Sequence, residues 1–371
     1  MNSVLLTVDL TRAVATEAIE NKHCCVVAYH PIIFRGLKSL TLADPQQSSL
    51  LRLALEGISV YCPHTAVDAV PGGMADWLCD IVTGSLKEPH PEQNEKVAEA
   101  TTEQEEDSKS KSEANLDPNS HKDAAQVRPG MHRSYSRPTY PSNAAPKSKA
   151  PPVDPSDLSH TRIVIHQSSE QSISQTDDPS TFSPSTTGAG RLITFKQPQP
   201  LAHLIERIAH GVGTPKGFPV AIPQERNIED ISIRTVGVCP GSGGSVLNDC
   251  NADLIFTGEL SHHDALAVTE RGGSVLTLFH SNSERGYLRA VMRGKLESQL
   301  KDQWETVRQE YSNGEHLSES AGGAPGAAKL VGEDLEDALA DESVNVEVSE
   351  VDRDPFGLVV LQGSEVEGLK L

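Results

Sequence analysis

Two distant segments of the chain read almost alike: Glu56-Gly57-Ile58-Ser59-Val60-Tyr61-Cys62-Pro63-His64-Thr65-Ala66-Val67-Asp68 and Gly272-Gly273-Ser274-Val275-Leu276-Thr277-Leu278-Phe279-His280-Ser281-Asn282-Ser283-Glu284. Each runs from a glycine through a short apolar strand to a histidine, then to an acid four residues on, and Gly57 to His64 takes the same seven steps as Gly273 to His280. The match suggests two similar halves, each offering an imidazole and a carboxylate at a strand end. Borderline-hard divalent cations favour that mixture of ligands.

Outward from these segments, strands and helices alternate. Residues 4–8, 24–29, 58–62, 233–239, 254–257 and 275–279 are short apolar runs of strand character. Residues 11–22, with Thr11 as a cap, and 48–55, 74–82, 201–210, 265–271 and 284–311 carry helical spacing. This predicts an α/β fold of two related α/β/α-type domains with mixed sheets facing a metal cleft. A long insertion interrupts it. The expected division is 1–86 and 191–312 for the two parts of the fold, 87–190 for a disordered tract rich in Ser, Pro and acid, 313–343 for a flexible acidic and Gly/Ala segment, and 344–371 for a returning strand segment. The tract at 87–190 has too few large apolar side chains to offset an ordering cost of about 1–2 kcal/mol per residue. One apolar island within it, Thr161-Arg162-Ile163-Val164-Ile165-His166, reads as a remnant strand without an assigned place.

The chain has 371 residues, a net charge of −20 and 4% aromatic residues, a balance that argues against a nucleic-acid surface. No run reaches the roughly 20 apolar residues of a membrane span, and no secretory signal is visible. None of the six cysteines forms a Cys-x-x-Cys pair, which favours free thiols in a reducing compartment. The location expected is cytoplasmic, with mitochondrial or nuclear as alternatives.

His30, His64, Glu259 and His280 all fall at the carboxyl ends of expected strands, where α/β sheets place ligands. Asp68 and Glu284 also suit the first turn of a helix, where the dipole favours acids. Two pairs matched in spacing favour a shared site instead. In Gly258-Glu259-Leu260-Ser261-His262-His263-Asp264, Glu259, His262 and His263 are candidates to move a proton, and a capping segment headed by Ser261 is the alternative. Gly241, Ser242, Gly243 and Gly244 could cradle an anion on backbone amides, or form a tight turn between strand and helix. There is no Gly-Lys-Ser/Thr ending and no Gly-x-Ser-x-Gly elbow, which disfavours a P-loop and a serine nucleophile.

Four strings together carry a family resemblance: Ala28-Tyr29-His30-Pro31-Ile32-Ile33-Phe34, His64-Thr65-Ala66-Val67-Asp68-Ala69, Gly258-Glu259-Leu260-Ser261-His262-His263 and His280-Ser281-Asn282-Ser283-Glu284-Arg285-Gly286. They resemble the NIF-three-like family of YbgI-type dinuclear-metal proteins, over residues 3–86 and 191–312 and around Asp354-Pro355-Phe356. The resemblance implies metal ligands at His30, Asp68, His280 and Glu284, with one or two divalent ions (zinc, iron or manganese) per chain. Tyr29 stands where bacterial-type relatives have a histidine, which implies a weakened second metal position. His64 matches a cleft histidine. Relatives open with a further helix and strand that this chain lacks, so the expectation is either a gap at the edge of the first sheet or a sequence that is short at its start.

The resemblance also implies self-association into homo-oligomers, with protein partners through the insertion as a further expectation and no membrane or nucleic acid. The function expected is a metal-dependent hydrolase of a small phosphorylated or nucleotide-like substrate, in line with the family's description as GTP cyclohydrolase type two. The alternative is a metal-binding adaptor without turnover.

Overall fold

In the computed structural model, residues 2–85, 133–134, 158–170, 182–213, 215, 217–312 and 333–359 are described. The first block holds β1 (Ser3–Thr7), α1 (Arg12–Glu20), β2 (Cys25–Ala28), α2 (Pro45–Leu55), β3 (Ser59–Tyr61), α3 (Thr65–Ala69) and α4 (Met74–Thr83). Thr11 caps α1 by accepting a hydrogen bond from the Val14 amide at 3.3 Å, as its sequence position suggested. Helix α2 starts three residues earlier than the apolar spacing alone indicates. Its true start signal is Asp44-Pro45: the Asp44 carboxylate accepts from the amides of Gln46 and Gln47, and proline occupies the first turn.

Next come β4 (Arg133–Ser134), β5 (His160–Gln167), β6 (Gly188–Pro200), α5 (Leu201–Gly211), β7 (Val220–Ala221), β8 (Ser232–Ser242), α6 (Gly244–Leu247), β9 (Leu254–Glu259), α7 (His262–Glu270), β10 (Ser274–Thr277), α8 (Asn282–Tyr287) and α9 (Arg293–Ser312). A π-helical turn, Leu288–Met292, joins α8 to α9, so the long helix expected from residue 284 onward is continuous but locally underwound. The chain then forms α10 (Glu333–Ala340), β11 (Asn345–Val348) and β12 (Leu358–Val359), which pairs with β4.

The order β11-β1-β2-β3 makes a four-stranded sheet, parallel at every pairing. The edge beside β1, where the resemblance implied a gap, is taken by β11. The second sheet has six strands in the order β5-β6-β8-β9-β10-β7. Its β8-β9-β10 centre is parallel, while β5, β6 and β7 pair antiparallel.

Two boundaries drawn from the sequence are corrected here. The island at 161–166 lies within β5, hydrogen-bonded along β6, and β6 itself begins at Gly188. The span 87–190 therefore contains ordered sheet at its end; residues 86–132, 135–157 and 171–181 lie outside the described ones. Likewise 313–343 contains helix α10, with 313–332 outside the described residues.

Alternation along the strands sets the layers. Leu5, Val26 and Ala28 face α1 and α2, packing on Val14, Ala18 and Leu53. Val4, Leu6 and Val27 face the other way into a core shared with the second sheet. There Trp77, Leu78 and Ile81 of α4 meet Ile193, Phe195, Val236, Val238 and Phe256. Behind the second sheet, Ile255 and Val275 pack with Leu247 and Val268. The common core brings the carboxyl ends of β1 and β2 opposite those of β8, β9 and β10. No helix among the described residues is long and apolar enough to cross a membrane.

Candidate metal centre

Among the described residues, one group of three histidine, cysteine or acidic side chains can converge on a cation: His30, His280 and Glu284, whose candidate ligand atoms lie within 4.8 Å of one another. His30 follows β2, His280 follows β10, and Glu284 lies in the first turn of α8. The two rings are 5.1 Å apart, centre to centre. Both imidazoles aim Nε2 at the same carboxylate, His30 at Oε2 (3.5 Å) and His280 at Oε1 (3.4 Å).

Each histidine is oriented from behind. The Asp9 carboxylate accepts from His30 Nδ1 at 2.9 Å, and the Glu259 carboxylate from His280 Nδ1 at 2.9 Å. A carboxylate bonded to the far nitrogen fixes the ring and leaves Nε2 as the donor toward a metal. Asp9, two residues past β1, did not emerge from the sequence reading. The signal is in its position, because Asp9, like Glu259, is an acid at a strand's carboxyl end. Glu259, expected to move a proton, instead braces His280.

Burial dominates the electrostatics. Glu284 is 1% exposed, and its Oε2 has no hydrogen-bond partner. Burial raises its pKa, against the opposing pull of His30 and His280. Burial alone would lower the His30 pKa, but the Asp9 and Glu284 carboxylates outweigh it and raise it to about 10. An orphaned, buried carboxylate oxygen between two imidazoles is a donor set that fits a zinc, iron or manganese ion.

Asp68, expected as a fourth ligand, is not part of the converging trio. Its Oδ2 accepts from the Tyr29 hydroxyl at 2.8 Å, while Oδ1 is buried without a partner. Burial raises Asp68 to about 7, the Tyr29 hydrogen bond opposing and Glu284 adding to the rise. Burial and the neighbouring acids also push the Tyr29 phenol upward, so it stays protonated and donates.

The twin segments diverge at their histidines. In the first, His64 itself takes a positive φ of 46°; in the second, the positive φ of 67° falls one residue earlier, on Phe279. The kink is thus offset by one position relative to the histidine, and only His280 joins the trio. His64 instead lines the cleft, its ring 5.9 Å from that of His30 and 5.8 Å from that of Phe34. Burial and the nearby His30 and His280 lower its pKa.

In the glycine turn, two of the backbone amides that could cradle an anion are already engaged. The Gly241 amide donates to Ser283 Oγ at 2.8 Å, and the Gly243 amide to the Glu259 carbonyl at 3.1 Å. Gly241 and Ser242 close β8, and Gly243 and Gly244 open the short α6. What Gly241 supplies is room. At φ +59°, a β-carbon there would lie 2.5 Å from Glu284 Oε1 and 3.0 Å from His280 Nε2. His262 and His263 are exposed on the first turn of α7, outside the trio. Ser261 caps that helix by accepting from the Asp264 amide at 3.2 Å, which favours the capping reading of this segment.

Comparison with known proteins accords with this architecture. Residues 1–313 match the family model described as Duf34/NIF3 (NGG1p interacting factor 3). The chain is 37% identical to the Protein NIF3 homolog of Schizosaccharomyces pombe, over 80% of this chain and 76% of that protein. It is 32% identical to the NIF3-like protein 1 of Rattus norvegicus, over 78% and 76%, and 30% identical to the NGG1-interacting factor 3 of Saccharomyces cerevisiae, over 80% and 75%. In fold it is similar to a crystal structure of a Bacillus cereus protein related to NIF3, with a TM-score of 0.50 and 17% identity, over 96% of this chain and 89% of that one. The chain belongs to the Duf34/NIF3 (NGG1p interacting factor 3) family.

Proposed function

We propose that the chain is a divalent-metal-dependent hydrolase of a small phosphorylated or nucleotide-like substrate, with His30, His280 and Glu284 holding the ion. The observation that carries this reading is the buried Glu284 carboxylate, one oxygen of which has no hydrogen bond, set between two imidazole nitrogens at 3.4 and 3.5 Å. Three protein donors leave coordination positions open, the pattern of catalytic rather than structural metal sites. A divalent ion held there would acidify a water and polarise a substrate oxygen.

The protein's own groups have distinct tasks. Asp9 and Glu259 hold the two imidazoles with Nε2 facing inward. Gly241 lets β8 approach the ligands closely. His64, whose lowered pKa keeps it neutral near pH 7, is placed on the cleft wall to accept a proton at a ring nitrogen. The test is turnover of a nucleotide and phosphoester panel by metal-loaded protein. Hydrolysis above a Glu284→Ala control supports the reading, and equal rates refute it.

An adaptor role has its own observations. The yeast relative is named NGG1-interacting factor 3, and the loop after His30 exposes Ile33, Phe34, Leu37, Leu40 and Leu42, with Phe34 76% and Leu42 70% accessible. A partner that binds this loop equally well in the Glu284→Ala protein would favour that role.

A further inference from the structure

Beyond the ligands, the returning segment after β11 reaches both halves of the centre. Ser349 continues the β11 pairing by donating its amide to the Leu6 carbonyl at 2.8 Å. Asp352 then accepts from the Val8 amide (Oδ2, 2.8 Å) and pairs with the Arg285 guanidinium (Oδ1, 3.1 Å). Val8 precedes Asp9, which braces His30, and Arg285 follows Glu284. Arg285 also lies 3.9 Å from Asp9 Oδ2. Two residues on, Asp354 Oδ2 accepts from both the amide (3.1 Å) and the hydroxyl (2.7 Å) of Ser281, the residue after His280. Both carboxylates are nearly enclosed, the Asp352 side chain at 3% exposure and Asp354 at 6%.

We propose that Asp352 and Asp354 are positioning residues, which clamp the His30 half of the metal centre to the His280–Glu284 half. The inference rests on the metal-centre reading above and deepens it. Burying two carboxylates is costly unless each finds several donors. Here the donors come from residues next to a ligand (Ser281, Arg285) or next to the brace Asp9 (Val8), rather than from the rest of the segment alone. Ligands drawn from two sheets bind an ion well only when their separation is set beforehand, and partners behind the ligands often account for about 10–100-fold in metal affinity. Linkage makes the effect reciprocal: whatever the clamp adds to metal affinity, the metal adds to closure of the clamp.

The test is zinc(II) affinity, by chelator competition, of the full chain and of Asp352→Ala, Asp354→Ala and Asp354→Asn. The alanine variants are expected to lose about 10–100-fold in affinity. Asp354→Asn should retain most of it, because its amide oxygen still accepts from Ser281. A purely structural role would instead lower the melting temperature of the metal-free protein and leave zinc affinity unchanged, which would overturn the clamp. Hydrogen exchange in the unmutated chain gives a second readout, should the variants not fold. Saturating zinc is expected to slow exchange at the Val8 and Phe356 amides, which donate to Asp352 and Asp354. Unchanged exchange refutes the proposal. Failure of the parent chain to bind zinc would sink the metal centre itself, a result distinct from binding that ignores Asp352 and Asp354.

Discussion

His30 and His280 come from different sheets, yet their Nε2 atoms sit 3.5 and 3.4 Å from opposite oxygens of one buried carboxylate, Glu284. Neither histidine can be placed without the other half of the fold. The shared core beneath them fixes their separation, and the carboxylates behind them fix their rotation.

Glu284→Gln keeps the side-chain volume and removes a buried charge. In excess chelator the variant is expected to melt at or above the parent temperature, since burial already disfavours the ionised acid. With a divalent ion at 100 times its Kd, the parent gains about 2.7 kcal/mol and the variant much less. Paired melts with chelator and with metal check this; a variant stabilised by metal as strongly as the parent contradicts it.

Gly241→Ala and Gly272→Ala form a matched pair. Both positions have positive φ, +59° and +88°, so both variants carry a left-handed cost of about 1–2 kcal/mol. Only at position 241 does the new methyl meet the ligands, while nothing lies within 4 Å at 272. Urea midpoints should fall in both, and metal binding should be lost only in Gly241→Ala.

Asp68 gives the metal-free protein a pH signature. Its carboxyl rises from 3.8 to about 7 on folding, so the folded state binds the proton more tightly than the unfolded state. Its contribution is most favourable below pH 3.8 and is lost as pH rises through about 7. Asp68→Asn lacks this loss. The stability of the variant minus that of the parent should therefore grow between about pH 4 and 7, by at most about 1.4 kcal/mol per pH unit, and level off above. Denaturant titrations across that range check it, and a difference independent of pH would rule it out.

Asp9→Asn and Glu259→Gln weaken the bracing of His30 and His280 respectively. Affinity for a divalent ion should drop by about tenfold or more in Asp9→Asn. The drop should be smaller in Glu259→Gln, whose side chain is 52% exposed against 32% for Asp9 and is more screened by water. Isothermal titration of both variants would show the order.

The sequence carried the strand and helix alternation because most elements bury several apolar side chains at the right period. Strand β5 showed as an apolar island but could not be assigned a neighbour, because it is a sheet edge: only Val164 of its eight residues is buried, so little in its pattern says what it packs against. The converging trio of His30, His280 and Glu284 was legible as candidates from strand ends and the His-to-acid spacing, and the family resemblance implied a ligand role for each. Their braces were less so. Asp352 and Asp354 act from the far end of the chain, through contacts that only the β11 pairing creates. The one-residue offset of the positive φ at His64 and Phe279 has no signature in composition, so Asp68 and His64 looked equivalent to Glu284 and His280. The glycine turn was ambiguous for a similar reason. Glycine gave no sign that its own amides were already engaged by Ser283 and the Glu259 carbonyl.

The central claim is that His30 and His280 ligate one ion together. Calorimetric titration with zinc(II) or manganese(II) of the parent, His30→Ala, His280→Ala and the double variant tests it most directly. The account predicts a site in the parent, its affinity reduced at least tenfold by either single change, and a double variant little worse than the singles, because each substitution breaks the same site. Full parental binding in both single variants would contradict it.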